Sequence, residues 1–315
     1  MAAIGRDLTI RPVNVPANMK HPGAPDPRLP THEFCFGLIA PKGAGKTTLI
    51  ANLLHFYRGY FHNIYVFSPT VENDEKWAQL KKEKFLIENK PLKRWIKAEQ
   101  QKRAGAFKDQ IVQDAPLGAM FESMNTNEKE EFDGIIPKEC FYHRDYTHAD
   151  LDAILDRKNE IIHALKKHDK PKYLADRDLF IFDDQVGSPL FRKTQSNKFI
   201  GFNTRHRHYS ASIIMVAQAY KEIPVTIRVN FTCMIIFFIA NSGEIKKIYE
   251  ENQMGLTEEE WMEVYQHATR EPYHFLFIDS SKPIGKRCMK NFDSFILTNG
   301  TNDTDTDYTD DDDSD

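Results

Sequence analysis

Cysteine is scarce in this chain, with four residues among 315. They stand at positions 35, 140, 233 and 288, and no C-x-x-C pair or Cys/His cluster has the spacing of a zinc site. Disulfide-held secreted scaffolds carry many more cysteines at close spacing. We therefore predict reduced, buried thiols in a cytosolic-type compartment.

Long apolar runs are also missing. The longest covers residues 233–240, whereas a helix that crosses a bilayer needs about 20 apolar residues. The N-terminus has no apolar segment of the kind found in secretory signal peptides. The sequence thus predicts a protein that has no membrane segment and is not secreted.

Several catalytic motifs are absent. The twelve histidines include no H-E-x-x-H, and neither G-x-S-x-G nor the base-reading N-K-x-D of GTPases occurs. These absences argue against a zinc protease, an α/β-hydrolase and a GTPase.

The two ends of the chain differ in composition from the rest. Residues 1–30 hold six of the sixteen prolines, which predicts an extended arm, either a flexible leader or a segment lying along a neighbouring subunit. Residues 299–315 hold eight aspartates, which predicts a disordered acidic tail. The tail is either a solubilising end or a mimic of DNA. Without these eight, 42 basic side chains face 38 acidic ones, so the body is mildly basic.

A glycine-bearing loop, APKGAGKT at residues 40–47, lies between an apolar run at 34–39 and a helical pattern at 48–54. This is the context of a phosphate-binding P-loop: Lys46 supplies charge to the β- and γ-phosphates, and Thr47 offers its hydroxyl to Mg²⁺. Ala40 replaces the first glycine, which is tolerated unless that position needs a positive φ. The alternative is a chance glycine-rich turn. The predicted nucleotide-binding residues are Pro41, Lys42, Gly43, Ala44, Gly45, Lys46, Thr47 and Thr48.

A second predicted strand at 63–68 is followed by a charged, helical insertion at about 72–175. Within it, residues 81–108 hold ten basic and three acidic side chains, with Phe85 and Trp95 interleaved. This segment is either a surface that neutralises DNA phosphates or a solvated face whose aromatics anchor it. We expect Pro91 to divide it into two helices and Thr147 to cap a later one.

An apolar run that ends in acids, DLFIFDDQ at 178–185, has the Walker B pattern. A buried strand there delivers carboxylates to the end of the sheet where ligands bind. Asp183 is expected to hold Mg²⁺ through water, opposite Thr47. Asp184 is the candidate for orienting or deprotonating the attacking water.

Further buried strands are predicted at 212–218, 233–239 and 273–279, and helices at 243–251 and 257–269. The last helix begins with a sequence that resembles a capping box, from Thr257 to Glu260. The first of these strands puts Gln218 at the same end of the sheet as Asp183, where its amide senses the γ-phosphate. Strands that alternate with helices predict an α/β fold, a mostly parallel sheet with helices on both faces. One domain, residues 31–298, would carry the helical insertion.

Taken in order, these motifs resemble those of the genome-packaging ATPases of large DNA viruses, virophages and related elements. These ATPases form the poxvirus-type branch of the FtsK/HerA superfamily. The resemblance covers about residues 33–280, and Asp184 stands where many members have glutamate. The segments that carry it are APKGAGKT at 40–47, FSPT at 67–70, IFDD at 181–184, RHRHY at 205–209, QAY at 218–220, IPVTIRVN at 223–230 and YHFLFID at 273–279.

The resemblance implies a RecA/FtsK-like P-loop NTPase that uses ATP and Mg²⁺ to drive double-stranded DNA into a preformed capsid. It also implies a homo-oligomeric ring, a pentamer or hexamer, with capsid proteins as further partners. The expected location is the host cytoplasm or nucleus, a virus factory or the virion. The alternative is a nucleotide-binding capsid-assembly or scaffold protein without sustained turnover; DNA-stimulated hydrolysis distinguishes the two.

Hydrolysis by P-loop enzymes is accelerated by an arginine at the γ-phosphate, and the sequence shows no lid to carry one. The candidates, at a subunit boundary in a ring, are Arg205 and Arg207 before the Gln218 strand and Arg228 after it. Phosphate or DNA-backbone contact is the competing role for Arg205 and Arg207. A structural ion pair is the competing role for Arg228.

Overall fold

The structure, a computed structural model, describes residues 16, 19–83, 86–111, 141–143, 146–185, 187–192 and 197–296. The predicted acidic tail, the start of the proline-rich arm and the middle of the insertion lie outside the described residues. The strands are β1 (Cys35–Ile39), β2 (Asn63–Phe67), β3 (Phe141–His143), β4 (Asp178–Asp183), β5 (Ala211–Ala217), β6 (Cys233–Phe237), β7 (Phe275–Asp279), β8 (Cys288–Lys290) and β9 (Ser294–Phe295). The helices are α1 (Lys46–Phe56), α2 (Glu75–Lys82), α3 (Lys90–Ile111), α4 (His148–Lys167), α5 (Lys198–Arg205), α6 (Val225–Arg228), α7 (Ser242–Glu251) and α8 (Glu258–Thr269).

The nine described strands form one sheet in the order β3-β2-β4-β5-β1-β6-β7-β8-β9. The pairs from β3 to β6 are parallel, and the pairs from β6 to β9 are antiparallel. The mostly parallel sheet predicted from the sequence is therefore confirmed. The P-loop follows β1, so it emerges near the middle of the sheet, between β5 and β6.

Helices cover both faces of the sheet, as the alternation of elements predicted. On one face, α1 and α2 pack Leu53 and Trp77 against β1, β2 and β4. On the other face, α4, α5, α7 and α8 bury side chains such as Leu151, Phe202 and Trp261. Because both faces are covered, every residue of β1, β4, β5 and β6 is buried, which explains their continuous apolar runs.

The insertion is less separate from the sheet than expected. Its strand β3 pairs in parallel with β2 and forms one edge of the sheet, whereas the sequence predicted no strong strand there. Pro91 does not break a helix: it lies in the first turn of α3, where no backbone N–H is needed. Among the described residues, the interruption between α2 and α3 falls instead at residue 83 and residues 86–89.

The predicted helix caps are confirmed. The Thr147 side chain accepts a hydrogen bond from the Asp150 N–H at the start of α4. Thr257 and Glu260 form a reciprocal capping box at the start of α8.

Residues 19–30 of the proline-rich arm pack on their own chain. The Tyr57 hydroxyl donates to the Pro30 carbonyl at 2.6 Å, and the Tyr60 hydroxyl donates to the Pro22 carbonyl at 2.9 Å. This stretch is therefore not a flexible leader, and a contact of the arm with a neighbouring subunit stays a prediction.

The described cysteines, Cys35, Cys233 and Cys288, are buried and unpaired, as predicted; Cys140 lies outside the described residues. In the part of the chain that the structure describes, no helix has the length and apolarity to span a membrane.

Candidate functional site

The loop after β1 has the backbone that a P-loop needs. Gly43 and Gly45 have φ of 82° and 98°, a left-handed conformation that favours glycine. Gly45 is the N-cap of α1, so the unpaired N–H groups at the start of that helix face the cleft above it. Ala40 is fully buried and does not take a positive φ, so its replacement of glycine leaves the loop intact.

Asp183 ends β4 and is buried, with 4% of its surface exposed. Its Oδ2 accepts a hydrogen bond from the Ser68 hydroxyl at 2.9 Å. Burial raises the pKa of the Asp183 carboxyl, while the Ser68 bond and the charge of Lys46 lower it. Its Oδ1 is buried without a hydrogen-bond partner. A buried carboxylate oxygen with no donor, in the same cleft as the Thr47 hydroxyl, fits a divalent cation.

Asp184, the next residue, leaves the strand. Its φ of 51° is left-handed, a conformation that aspartate tolerates better than most residues. The turn brings its Oδ1 to 3.1 Å from Nε2 of Gln218, which donates a hydrogen bond to it. Gln185 fixes the turn from behind by donating to the backbone carbonyls of Phe67 and Asp183. Gln218 therefore lies at the end of the sheet where the sequence put it, with its amide on Asp184.

These groups line one open cleft of ≈ 970 Å³, a size usual for small-molecule sites. Lys46, Thr47, Asp183, Asp184 and Gln218 all border it. The predicted residues Lys42, Gly43, Ala44, Gly45 and Thr48 line the cleft too, whereas Pro41 borders a neighbouring groove.

The cleft also contains a cation that the sequence did not indicate. Lys76, in the first turn of α2, donates from Nζ to the Thr48 hydroxyl at 2.7 Å. It lies in a lysine-rich stretch, and only the packing of α2 beside α1 distinguishes it from its neighbours. Lys76 therefore adds a positive charge from within the same chain.

The arginines occupy different positions. Arg205 and Arg207 are exposed and precede β5, at the end of the strands opposite to the cleft. The seven residues of β5 separate the two ends of this strand by roughly 20 Å. They do not reach the phosphates of their own cleft.

Arg228 is buried with 7% of its surface exposed. Its guanidinium pairs with both carboxylate oxygens of Glu251, at 2.7 and 3.0 Å. It also donates to the backbone carbonyls of Tyr220 and Ile223. These contacts favour the ion-pair alternative for Arg228 over a catalytic role, because each of the three guanidinium nitrogens already donates to a group of its own chain.

The chain matches the model of the poxvirus A32 protein family over residues 120–306, more than half of its length. It belongs to that family. The matched segment includes Asp183, Asp184 and Gln218, and the membership confirms the poxvirus-type resemblance seen in the motifs.

Solved structures that resemble this chain share little sequence with it. The DNA-packaging ATPase B204 of Sulfolobus Turreted Icosahedral Virus has 13% identity and a TM-score of 0.47, over 79% of this chain and 93% of that one. The genome packaging NTPase B204 of Sulfolobus turreted icosahedral virus 2, bound to ATP-gammaS, has 13% identity and a TM-score of 0.47, over 84% and 98%. VirB4 of Thermoanaerobacter pseudethanolicus has 14% identity and a TM-score of 0.40, over 84% and 89%. No curated protein sequence matches the chain.

Proposed function

We propose that this protein is an ATP-hydrolysing motor that drives double-stranded DNA into a viral capsid. Membership in the poxvirus A32 family supports the packaging role. One observation carries the ATPase assignment: three features border a single cleft. They are the P-loop, the buried Asp183 carboxylate with its unpaired oxygen, and the Asp184 carboxylate that accepts a hydrogen bond from the Gln218 amide.

Each group has a distinct task in phosphoryl transfer. The N–H groups at the start of α1 and the Lys46 ammonium bind the phosphates. Thr47 and Asp183 are the residues that would hold Mg²⁺, which would supply positive charge to offset that of the phosphates. Asp184 orients the attacking water and accepts its proton, and Gln218 fixes the direction of that carboxylate.

Negative charge that grows on the γ-phosphoryl oxygens needs a further cation. Lys76 supplies one from within the chain. Arg205 and Arg207 lie too far from the cleft of their own chain to contact a phosphate there. If either acts on a γ-phosphate, it does so in the cleft of a neighbouring copy. We therefore propose that the working form is a homo-oligomeric ring in which one subunit completes the site of the next.

The test is the rate of phosphate release by the purified protein with Mg²⁺ and ATP, measured with and without duplex DNA. We expect hydrolysis that duplex DNA accelerates, and none above background in a Lys46→Ala variant purified in parallel. Hydrolysis no faster than in that variant would contradict the ATPase assignment. A hydrolysis rate that duplex DNA does not change would favour the assembly or scaffold role.

A further inference from the structure

Tyr273 has an unusual position beside the P-loop. Its side chain is 71% exposed, although it is a large aromatic residue. Its ring lies against the loop: a Cβ added at Gly45 would lie 3.4 Å from Cδ1 of Tyr273. At that distance a Cβ would make an ordinary contact with the ring, so it is the left-handed turn that requires glycine at position 45. The ring borders the open cleft that contains the phosphate-binding groups.

The backbone holds Tyr273 in this position at some cost in strain. Its φ of 66° is left-handed, which bulky residues avoid unless surrounding contacts enforce it. The turn before β7 is fixed by a bond from the His274 N–H to the Glu271 carbonyl at 3.2 Å. The Glu271 carboxylate in turn pairs with Lys290 of β8 at 3.2 Å. The antiparallel end of the sheet thus presents the ring to solvent next to the loop.

The strand order decides which part of a nucleotide reaches this ring. Asp183 ends β4 and Gln218 follows β5, on one side of the P-loop, whereas Tyr273 precedes β7, on the other side. A triphosphate bound with its γ-phosphate toward Asp184 has its other end directed away from β4 and β5. That end is the nucleoside, and it extends toward β6 and β7.

The surface on that side is apolar and open. Phe237 and Phe275 line the cleft behind Tyr273. A second groove of ≈ 710 Å³ adjoins it, shares Lys42, Gly43, Ala44 and Tyr273 with it, and is bordered by Phe238, which is 62% exposed. A flat, exposed aromatic face between a phosphate site and an apolar groove has the chemistry that stacks on a nucleobase.

We propose that Tyr273 is the platform on which the purine base of the bound nucleotide stacks. The proposal rests on the nucleotide site of the proposed function and adds the part of the site that holds the base. The Tyr273 hydroxyl has no role in it, because stacking uses the face of the ring.

The test compares two variants and two ligands. Tyr273→Phe keeps the ring, whereas Tyr273→Asn removes it and still tolerates the left-handed backbone. The ligands are a non-hydrolysable ATP analogue and inorganic tripolyphosphate, which has the phosphates and no base. Affinities are measured by calorimetry with Mg²⁺ present.

We expect Tyr273→Asn to bind the ATP analogue about tenfold or more weakly, because stacking on an aromatic side chain contributes on that order per base. The same variant is expected to bind tripolyphosphate as the unaltered protein does, and Tyr273→Phe to bind both ligands normally.

Undiminished affinity of Tyr273→Asn for the ATP analogue would overturn the base platform. An equal loss for both ligands would also overturn it, since the ring would then support the loop instead of the base. Failure of the proposed function gives a different result: the unaltered protein binds neither ligand, or Lys46→Ala binds both equally well.

Discussion

Asp183 and Asp184 are adjacent and chemically identical, and the backbone assigns them different environments. Asp183 is the last residue of a buried strand and keeps one oxygen without a partner. Asp184 turns out of the strand through a left-handed backbone and receives the Gln218 amide. The first is suited to a cation, and the second is suited to a water molecule near the γ-phosphate.

Substituting each acid by asparagine separates these tasks. Asp183→Asn is expected to weaken Mg²⁺-dependent ATP binding, because a neutral amide binds a divalent cation poorly. Asp184→Asn is expected to keep ATP binding and lose about a hundredfold or more in kcat, the usual contribution of a general base. Titrations of Mg²⁺-ATP and steady-state rates check both. Asparagine tolerates the left-handed backbone at 184, so normal turnover there would mean that another group is the base.

The sequence indicated the residues of this site that belong to contiguous motifs. Gly43, Lys46 and Asp183 follow from local patterns, and Gln218 follows from the rule that parallel strands end at one edge. Lys76 and Tyr273 were missed for a physical reason. Each reaches the cleft only because its helix or turn packs beside the P-loop, and no local pattern encodes that packing.

At the scale of elements, prediction succeeded where a segment buries both faces or carries a cap. β1, β4, β5 and β6 are continuous apolar runs, and the caps at Thr147 and Thr257 are local hydrogen-bond patterns. The strands β3, β8 and β9 have three, three and two residues. A segment that short has no periodicity to detect, and it is a strand only because a neighbour pairs with it.

The basic segment at 81–108 was interpreted either as a DNA-binding surface or as a solvated face anchored by its aromatic residues. Helix α3 shows which interpretation applies to Trp95. Leu92, Ile96 and the partly buried Trp95 pack against Ile162 and Leu165 of α4. Trp95 is therefore an anchor for the helix, as the solvated-face alternative held, while Phe85 lies outside the described residues. Arg94 and Lys97 are exposed on the same helix. Whether they meet DNA stays a prediction.

Reversing the charge of Arg94 and Lys97 to glutamate is expected to weaken duplex binding. If both contact phosphates, the slope of log K against log salt should become shallower by about 2, since each lost contact removes about 0.9. Reversal of Lys246 and Lys286, which are exposed near the other end of the sheet, is the matched control. Slopes that are equal in the two double variants would leave α3 as a solvated helix.

At the scale of the whole molecule, Arg205 and Arg207 lie at the end of the sheet opposite to their own cleft, and they are proposed to serve the cleft of a neighbouring copy. Mixing Arg207→Ala subunits with Lys46→Ala subunits tests the shared site. We expect each variant to be inactive alone and the mixture to recover part of the ATPase activity, because some interfaces then combine an intact P-loop with an intact arginine. Native mass spectrometry shows whether the two variants assemble together. If they do and no activity returns, the shared site is wrong.

Two buried histidines make the fold sensitive to acid. The His32 ring nitrogens bond to the hydroxyls of Ser212 and Ser210 at 2.8 and 3.1 Å, and burial lowers its pKa well below 6.5. His62 Nδ1 accepts from the Arg177 N–H at 2.9 Å. Burial lowers the pKa of His62 to about 4, although Asp176 opposes the shift.

Both histidines stay neutral in the folded state, whereas the unfolded chain takes up protons near pH 6.5. Their contribution to stability is therefore greatest above pH 6.5 and falls as the pH drops toward 4, because the unfolded state binds more protons at these two histidines in that range. His62 alone should account for about 2 kcal/mol at pH 5. Urea midpoints at pH 7.5 and pH 5 measure the loss, and His62→Gln should reduce it. An equal change of the midpoint with pH in the unaltered protein and in His62→Gln would contradict the prediction.

The described sheet ends in two very short strands, β3 on one side and β9 on the other. Short edges offer few unpaired amides and carbonyls, so they are poor templates for adding a strand from another molecule. In the proposed ring we therefore expect a neighbouring copy to meet side chains rather than an open row of backbone groups. Contacts between side chains can slide and re-form while subunits move past one another. A sheet shared between subunits would have to break its hydrogen bonds at every such step.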